Sequence, residues 1–170
     1  MSKRLIFEVD GIAHVFMPAP KARGMVEIAP GSWREETDEE LFARAVEIAK
    51  RHGGIPADAA THELDVDELP SGEVAKAFRN AWRIDRGRVS IDMAKARAAH
   101  MDRIRAARAP GLQRLDLDTM RAMERGDHAA MPEIAAKKQR LRDLPQAFDL
   151  TIARSPEELH MLWPADLPRV

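Results

Sequence analysis

The chain has 170 residues, no cysteine, 27 basic and 28 acidic side chains, and a formal net charge of −1. That length buries a real core, roughly 70% of the unfolded surface by size scaling. The missing cysteines exclude disulfides and thiolate metal sites and fit an intracellular origin. No apolar run reaches the roughly 18 residues of a membrane span, and Glu8 and Asp10 follow the N-terminus too closely for a signal peptide, so a soluble protein is expected.

Charge is unevenly distributed. Residues 1–70 hold 8 basic and 14 acidic groups, residues 71–109 hold 10 and 4, and residues 110–170 hold 9 and 10. Such a dipolar chain could bind nucleic acid through its middle, pair its own halves, or stack head to tail with neighbours. Low aromatic content and the absence of a nucleic-acid motif favour the last two.

Residues 4–17 read as a β-hairpin. Arg4 to Val9 is strand-like, Asp10-Gly11 is a two-residue hairpin turn, and Ile12 to Met17 returns before Pro18 and Pro20. The two-residue period puts Leu5, Phe7 and Val9 on one face, with Val15 and Met17 expected opposite. Met25 to Ile28 is expected to add a third short strand. Thr37 and Glu40 form a capping box that opens a helix over 38–52. Leu41, Phe42, Ala45, Ile48 and Ala49 make its apolar stripe, and Gly53-Gly54 ends it.

Residues 55–70 read as extended, with Leu64 and Val66 alternating against acids. Residues 82–91 read as a second hairpin, with a three-residue Asp85-Arg86-Gly87 loop. Phe78 and Trp82 are its largest anchors. From Asp92 to Leu144 the composition is strongly helical. Pro110, Arg125-Gly126-Asp127 and Pro145 are expected to divide this tract into two or three helices, the first ending at Ala109. Met93, His100, Ile104 and Ala107 form one stripe; Leu112, Leu115, Met120 and Met123 continue it, and Ile134, Leu141 and Leu144 line the last segment. Short breaks imply a helical hairpin. Ser155-Pro156-Glu157-Glu158 caps a short C-terminal helix ending at Trp163-Pro164.

The expected fold is therefore α+β: a small antiparallel sheet and hairpin module with a covering helix over residues 1–90, then a helical hairpin plus a short helix over 91–170. No reaction centre is visible. The six histidines show no metal-pair spacing, and no phosphate-binding loop, dinucleotide fingerprint or nucleophile elbow occurs. Asp65, Asp67 and Glu68 lack the glycine-bearing loop of a calcium site. Arg103, Arg105 and Arg108 spread around their helix instead of forming a basic line. No catalytic residue, cofactor or metal is expected.

Several stretches in order carry a resemblance: Asp67-Glu68-Leu69-Pro70, Phe78-Arg79-Asn80-Ala81-Trp82, Met101-Asp102-Arg103-Ile104-Arg105, Leu112-Gln113-Arg114-Leu115-Asp116, Lys138-Gln139-Arg140-Leu141-Arg142-Asp143-Leu144-Pro145 and Trp163-Pro164. Over residues 65–168 this order resembles bacteriophage tail assembly chaperone and tail-fibre-associated proteins. The resemblance implies a non-enzymatic virion structural protein at the tail, tail fibres or adaptor region, assembled in host cytoplasm. Its partners would be other tail or virion proteins in multiple copies, without membrane. The alternatives are an assembly chaperone absent from the mature particle and, from another class, a nucleic-acid-binding protein. Candidate protein-interface residues are Trp33, Arg103, Arg105, Phe148, Trp163 and Leu167.

Overall fold

The structure, a computed structural model, describes residues 3–17 and 23–169; the predicted stop at Pro18 and Pro20 lies outside them. The chain is α+β and divides into two compact units, Met1–Asp92 and Met93–Val170.

Unit one is built on a three-stranded antiparallel sheet. Strands β1 (Lys3–Val9) and β2 (Ile12–Phe16) form the first hairpin, closed by Asp10 and Gly11 at φ 52° and 70°, the conformation an Asp-Gly turn favours. The expected strand at Met25 forms, but in a separate sheet, so it is not the third strand of this one. That third strand is β5 (Thr61–Asp65), which pairs with the other edge of β1 and makes β1 central. The register also differs from the expected one. Leu5 faces Phe16, Ile6 faces Val15 and Val9 faces Ile12, so Val15 belongs to the opposite face from Leu5 and Phe7, while Met17 is exposed.

Three successive residues of β1, Leu5, Ile6 and Phe7, are buried. Neighbouring strand side chains point to opposite faces, so this run requires cover on both sides of the sheet. Helix α1 (Asp38–Arg51) covers one face through Phe42, Val46 and Ala49, with Ile55 beside them. Its stripe is rotated from the expected one: Val46 packs inward and Ile48 is exposed, because Phe42, Val46 and Ala49 keep the four- and three-residue spacing of one face. The Thr37–Glu40 capping box forms, and Gly53 at φ 74° follows the helix end.

The second face is covered by strands β6 (Trp82–Asp85) and β7 (Arg88–Ile91) and a short helix α2 (Gly72–Ala77) not anticipated from sequence. Ile6, Ala13 and Leu64 meet Ala75, Trp82 and Val89 there. Trp82 donates its indole N–H to Ala75 O at 3.1 Å, which satisfies the polar end of a buried ring. The β6–β7 loop has two residues, not three: Asp85 pairs with Arg88, and Arg86 and Gly87 both take positive φ. Asp65 and Glu68 close a capping box on a short 3-10 turn, so the acidic cluster serves the backbone.

Unit two is a helical hairpin. Helix α3 runs unbroken from Met93 to Arg125, straight through Pro110, and helix α4 spans Met131–Ala147, through Pro145. The expected ends at Ala109 and before Pro145 are thus incorrect, and the tract holds two helices, with Gly126 at φ 67° at the break. Pro110 is exposed, and packing against α4 is strong on both sides of it. Arg108 Nη1 donates to Leu141 O and Arg142 O at 3.1 and 2.9 Å. A Cβ at Gly111 would stand only 3.1 Å from Leu141 Cδ1. Tertiary contacts offset the hydrogen bond that proline removes.

Candidate functional site

Two surfaces have the chemistry of contact sites, one in each unit. The first is a hairpin of β3 (Met25–Ala29) and β4 (Ser32–Glu35), a two-stranded sheet of its own. Met25 pairs with Glu35 and Glu27 with Trp33, so these four side chains share one face, and all four are exposed. Ile28 lies at an irregularity between Glu27 and Ala29 and is exposed as well. Trp33 is 56% and Met25 57% accessible, an uncommon state for neighbouring large apolar groups in a chain of this size.

The base of this hairpin is held by charge. Glu36 is buried, and its carboxylate receives Arg44 Nε at 2.5 Å, Arg44 Nη2 at 2.8 Å and the Gly24 N–H at 2.6 Å. Arg44 and the Gly24 amide hold Glu36 below the usual carboxylate range. Beside it, Arg34 makes a two-pronged contact with Glu40 at 2.6 and 2.8 Å, and Glu40 also accepts the Thr37 N–H. Those bonds, the Arg34 one first, lower Glu40 to about 2. Arg23 joins through Asp38 and the Glu36 carbonyl. The capping box of α1 is therefore also the clamp that orients the hairpin.

The second surface lies on the helical hairpin. Gly111, Leu115, Leu141 and Leu144 floor a groove of about 280 Å³, and Arg114, Lys137, Arg140 and Asp166 stand around it. Lys137 pairs with Glu133 at 2.7 Å, while Arg114 and Arg140 make no ion pair among the described residues. The α3–α4 seam beside it carries Lys138, which reaches Thr119 Oγ1 at 3.0 Å and Asp116 at 2.7 Å. Met120 and Met123, expected in the seam, are exposed together with Leu117; Ala122 is buried instead. Small side chains allow the close approach that long methionines would prevent.

The remaining candidate residues meet different fates. Leu167 is buried, and its carbonyl accepts the Trp163 indole N–H at 3.2 Å. Trp163 is half-buried and meets His100 edge to face at 5.5 Å. Both serve the packing of the C-terminal segment around α5 (Pro156–Met161), where Leu159 is fully buried. Phe148, at the end of α4, is half-buried. Arg105 is exposed and paired with Asp102 at 2.7 Å; Arg103 is half-buried. Trp33 is the one aromatic candidate left open to solvent.

His100 is 2% accessible, with Nε2 2.7 Å from Leu162 O, so Nε2 carries the hydrogen that the carbonyl accepts. Burial pushes its pKa down; the Leu162 bond opposes this and the Arg103 charge adds to it. Arg97 donates to Leu150 O and Ala153 O at 3.2 and 2.8 Å, a second tie between α3 and the C-terminal segment.

Among the described residues no group of three or more His, Asp or Glu side chains is placed to hold a metal ion, and no helix is long and apolar enough to cross a membrane. Sequence reasoning missed Met25, Ile28, Arg114 and Arg140. The signal for the first two was the Pro30-Gly31 turn, which makes residues 25–35 a hairpin whose alternation puts Met25 and Trp33 together. Comparison with protein-family models, curated proteins and solved structures returned no match.

Proposed function

We propose that this chain is a non-enzymatic structural protein of a bacteriophage particle, associated with the tail, its fibres or the adaptor region, and acting through protein–protein contacts. The observation that carries the contact role is the exposed Met25–Trp33 face, tied at its base by the Glu36–Arg44 and Arg34–Glu40 ion pairs. An aromatic anchor presented on a pre-oriented hairpin binds with little ordering cost. The phage assignment rests on the ordered run of motifs over residues 65–168. Its partners in this reading are other virion proteins.

A second reading, an assembly chaperone absent from the finished particle, draws on the exposed Leu117, Met120 and Met123 of α3. Methionine surfaces adapt to varied apolar partners. Mass spectrometry of gradient-purified particles separates the two readings. A structural component is present there at a fixed copy number; a chaperone is found in the lysate and missing from the particle. Absence from both would overturn the phage assignment.

A further inference from the structure

The two exposed contact surfaces are complementary to one another. The hairpin face of unit one presents two large apolar groups, Met25 and Trp33, flanked by the carboxylates of Glu27 and Glu35. The groove of unit two presents the inverse: an apolar floor of Gly111, Leu115, Leu141 and Leu144, rimmed by three cations and one carboxylate. Its volume of about 280 Å³, at the low end of the range for small-molecule sites, suits one or two side chains. The same polarity extends over whole units. Unit one holds 13 basic and 17 acidic side chains, a net of −4; unit two holds 14 and 11, a net of +3.

We infer that the groove on the helical hairpin receives the β3–β4 hairpin of a second copy of this chain, with Trp33 entering between Leu115 and Leu141 while Glu27 and Glu35 meet Arg114 and Arg140. The contact is heterologous: each copy donates its hairpin and offers its groove, so association continues head to tail until a ring closes or a partner caps it. Arg114 and Arg140, which make no ion pair among the described residues, gain one each. Aromatic burial in the centre with charges at the rim is the usual anatomy of a specific contact. One hairpin in one groove is small beside a standard interface, so isolated copies associate weakly, and binding strengthens when many are held in an array.

The experiment uses the full chain and two blocked variants. Trp33→Asp blocks the hairpin and leaves the groove; Arg114→Glu with Arg140→Glu blocks the groove and leaves the hairpin. All three positions are exposed, and circular dichroism verifies folding. Trp33→Ser and Arg114→Ala with Arg140→Ala replace any variant that misfolds. Sedimentation velocity over a concentration series is expected to show wild-type mass rising past the dimer, more weakly at high salt. Each variant alone is expected to be monomeric, with association weakened about thirtyfold or more, by loss of the aromatic anchor in Trp33→Asp and by charge repulsion of Glu27 and Glu35 in the groove variant.

The decisive sample is the equimolar mixture of the two variants. One intact hairpin and one intact groove remain across the pair, so the mixture forms a 1:1 dimer and nothing larger. A monomeric wild type, a groove variant that still associates, or a mixture that stays monomeric overturns the inference. A purified chain that self-associates but is missing from particles and lysate would overturn the phage assignment and leave this contact standing.

Discussion

Ile6→Ala is the sharpest test of the two-sided sheet. Ile6 is fully buried in the middle of β1 and packs with Ala13, Leu64, Trp82 and Val89. Removing its side chain beyond Cβ forfeits roughly 0.8 kcal/mol for each buried carbon, about 2.5 kcal/mol in transfer energy. Its neighbours come from a hairpin and a sheet that relax only partly, so a cavity contribution brings the loss to about 3–4 kcal/mol. That is a large fraction of the roughly 5–15 kcal/mol that stabilises an ordinary domain. Urea unfolding followed by Trp82 fluorescence, with Trp33 and Trp163 replaced by Phe, reads the unit that holds Ile6. Ile48→Ala on the open side of α1 serves as the control and is expected within about 0.5 kcal/mol of wild type. A loss under about 1 kcal/mol for Ile6→Ala would mean that β6 and β7 do not cover this face, and the derivation from three consecutive buried residues would fail.

Further outcomes follow from the clamps, the buried histidine and the helix-interior proline. Because burial lowers the pKa of His100, the unfolded chain binds a proton in a window where the folded chain does not, so stability falls as pH drops below about 6.5, with a slope of up to about 1.4 kcal/mol per unit. Urea midpoints measured across that range should lose this component of the slope in His100→Gln; an unchanged slope would refute it. Glu40 has the opposite chemistry and the same sign: its folded value of about 2 lies below the ordinary 4.5, so its contribution is complete above 4.5 and is lost as pH falls towards 2. Acid titration by circular dichroism should show a shallower loss of stability in that window for Glu40→Gln, the remainder coming from carboxylates such as Glu36 that are also held low; an unchanged profile would refute it. Pro110→Ala should stabilise unit two by up to about 2 kcal/mol, the roughly 3 kcal/mol interior penalty less about 1 for a freer unfolded chain. Calorimetry showing an unchanged or lower melting temperature would contradict the packing account of α3.

The elements with local chemical signatures were readable from sequence. The Asp10-Gly11 turn, the Thr37–Glu40 box, the Gly53 stop and the Ser155 cap each act within a few residues, and each forms as expected. What depends on distant partners was not. Pairing of β1 with β5 spans some 50 intervening residues, and nothing in Thr61–Asp65 alone distinguishes it from Met25–Ala29 as the third strand. Pro110 reads as a break only if helix propensity decides; Arg108 and the close approach at Gly111 tie α3 to α4 on both sides of it. Met120 and Met123 follow the same logic, since the helices approach through small residues and leave the methionines outside. The contact surfaces were half visible. Trp33 could be singled out as an apolar group the local core does not need, whereas the Arg114–Arg140 groove exists only once two helices are side by side.

The most direct measurement of the central claim is the copy number of the chain in purified particles made with wild-type protein and with Trp33→Asp. If the clamped hairpin docks this protein into a particle, wild type is present at a fixed copy number, and the variant accumulates folded in the lysate while its particle copy number falls at least about tenfold. Equal incorporation of the two proteins, or no wild-type protein in the particle, would contradict it.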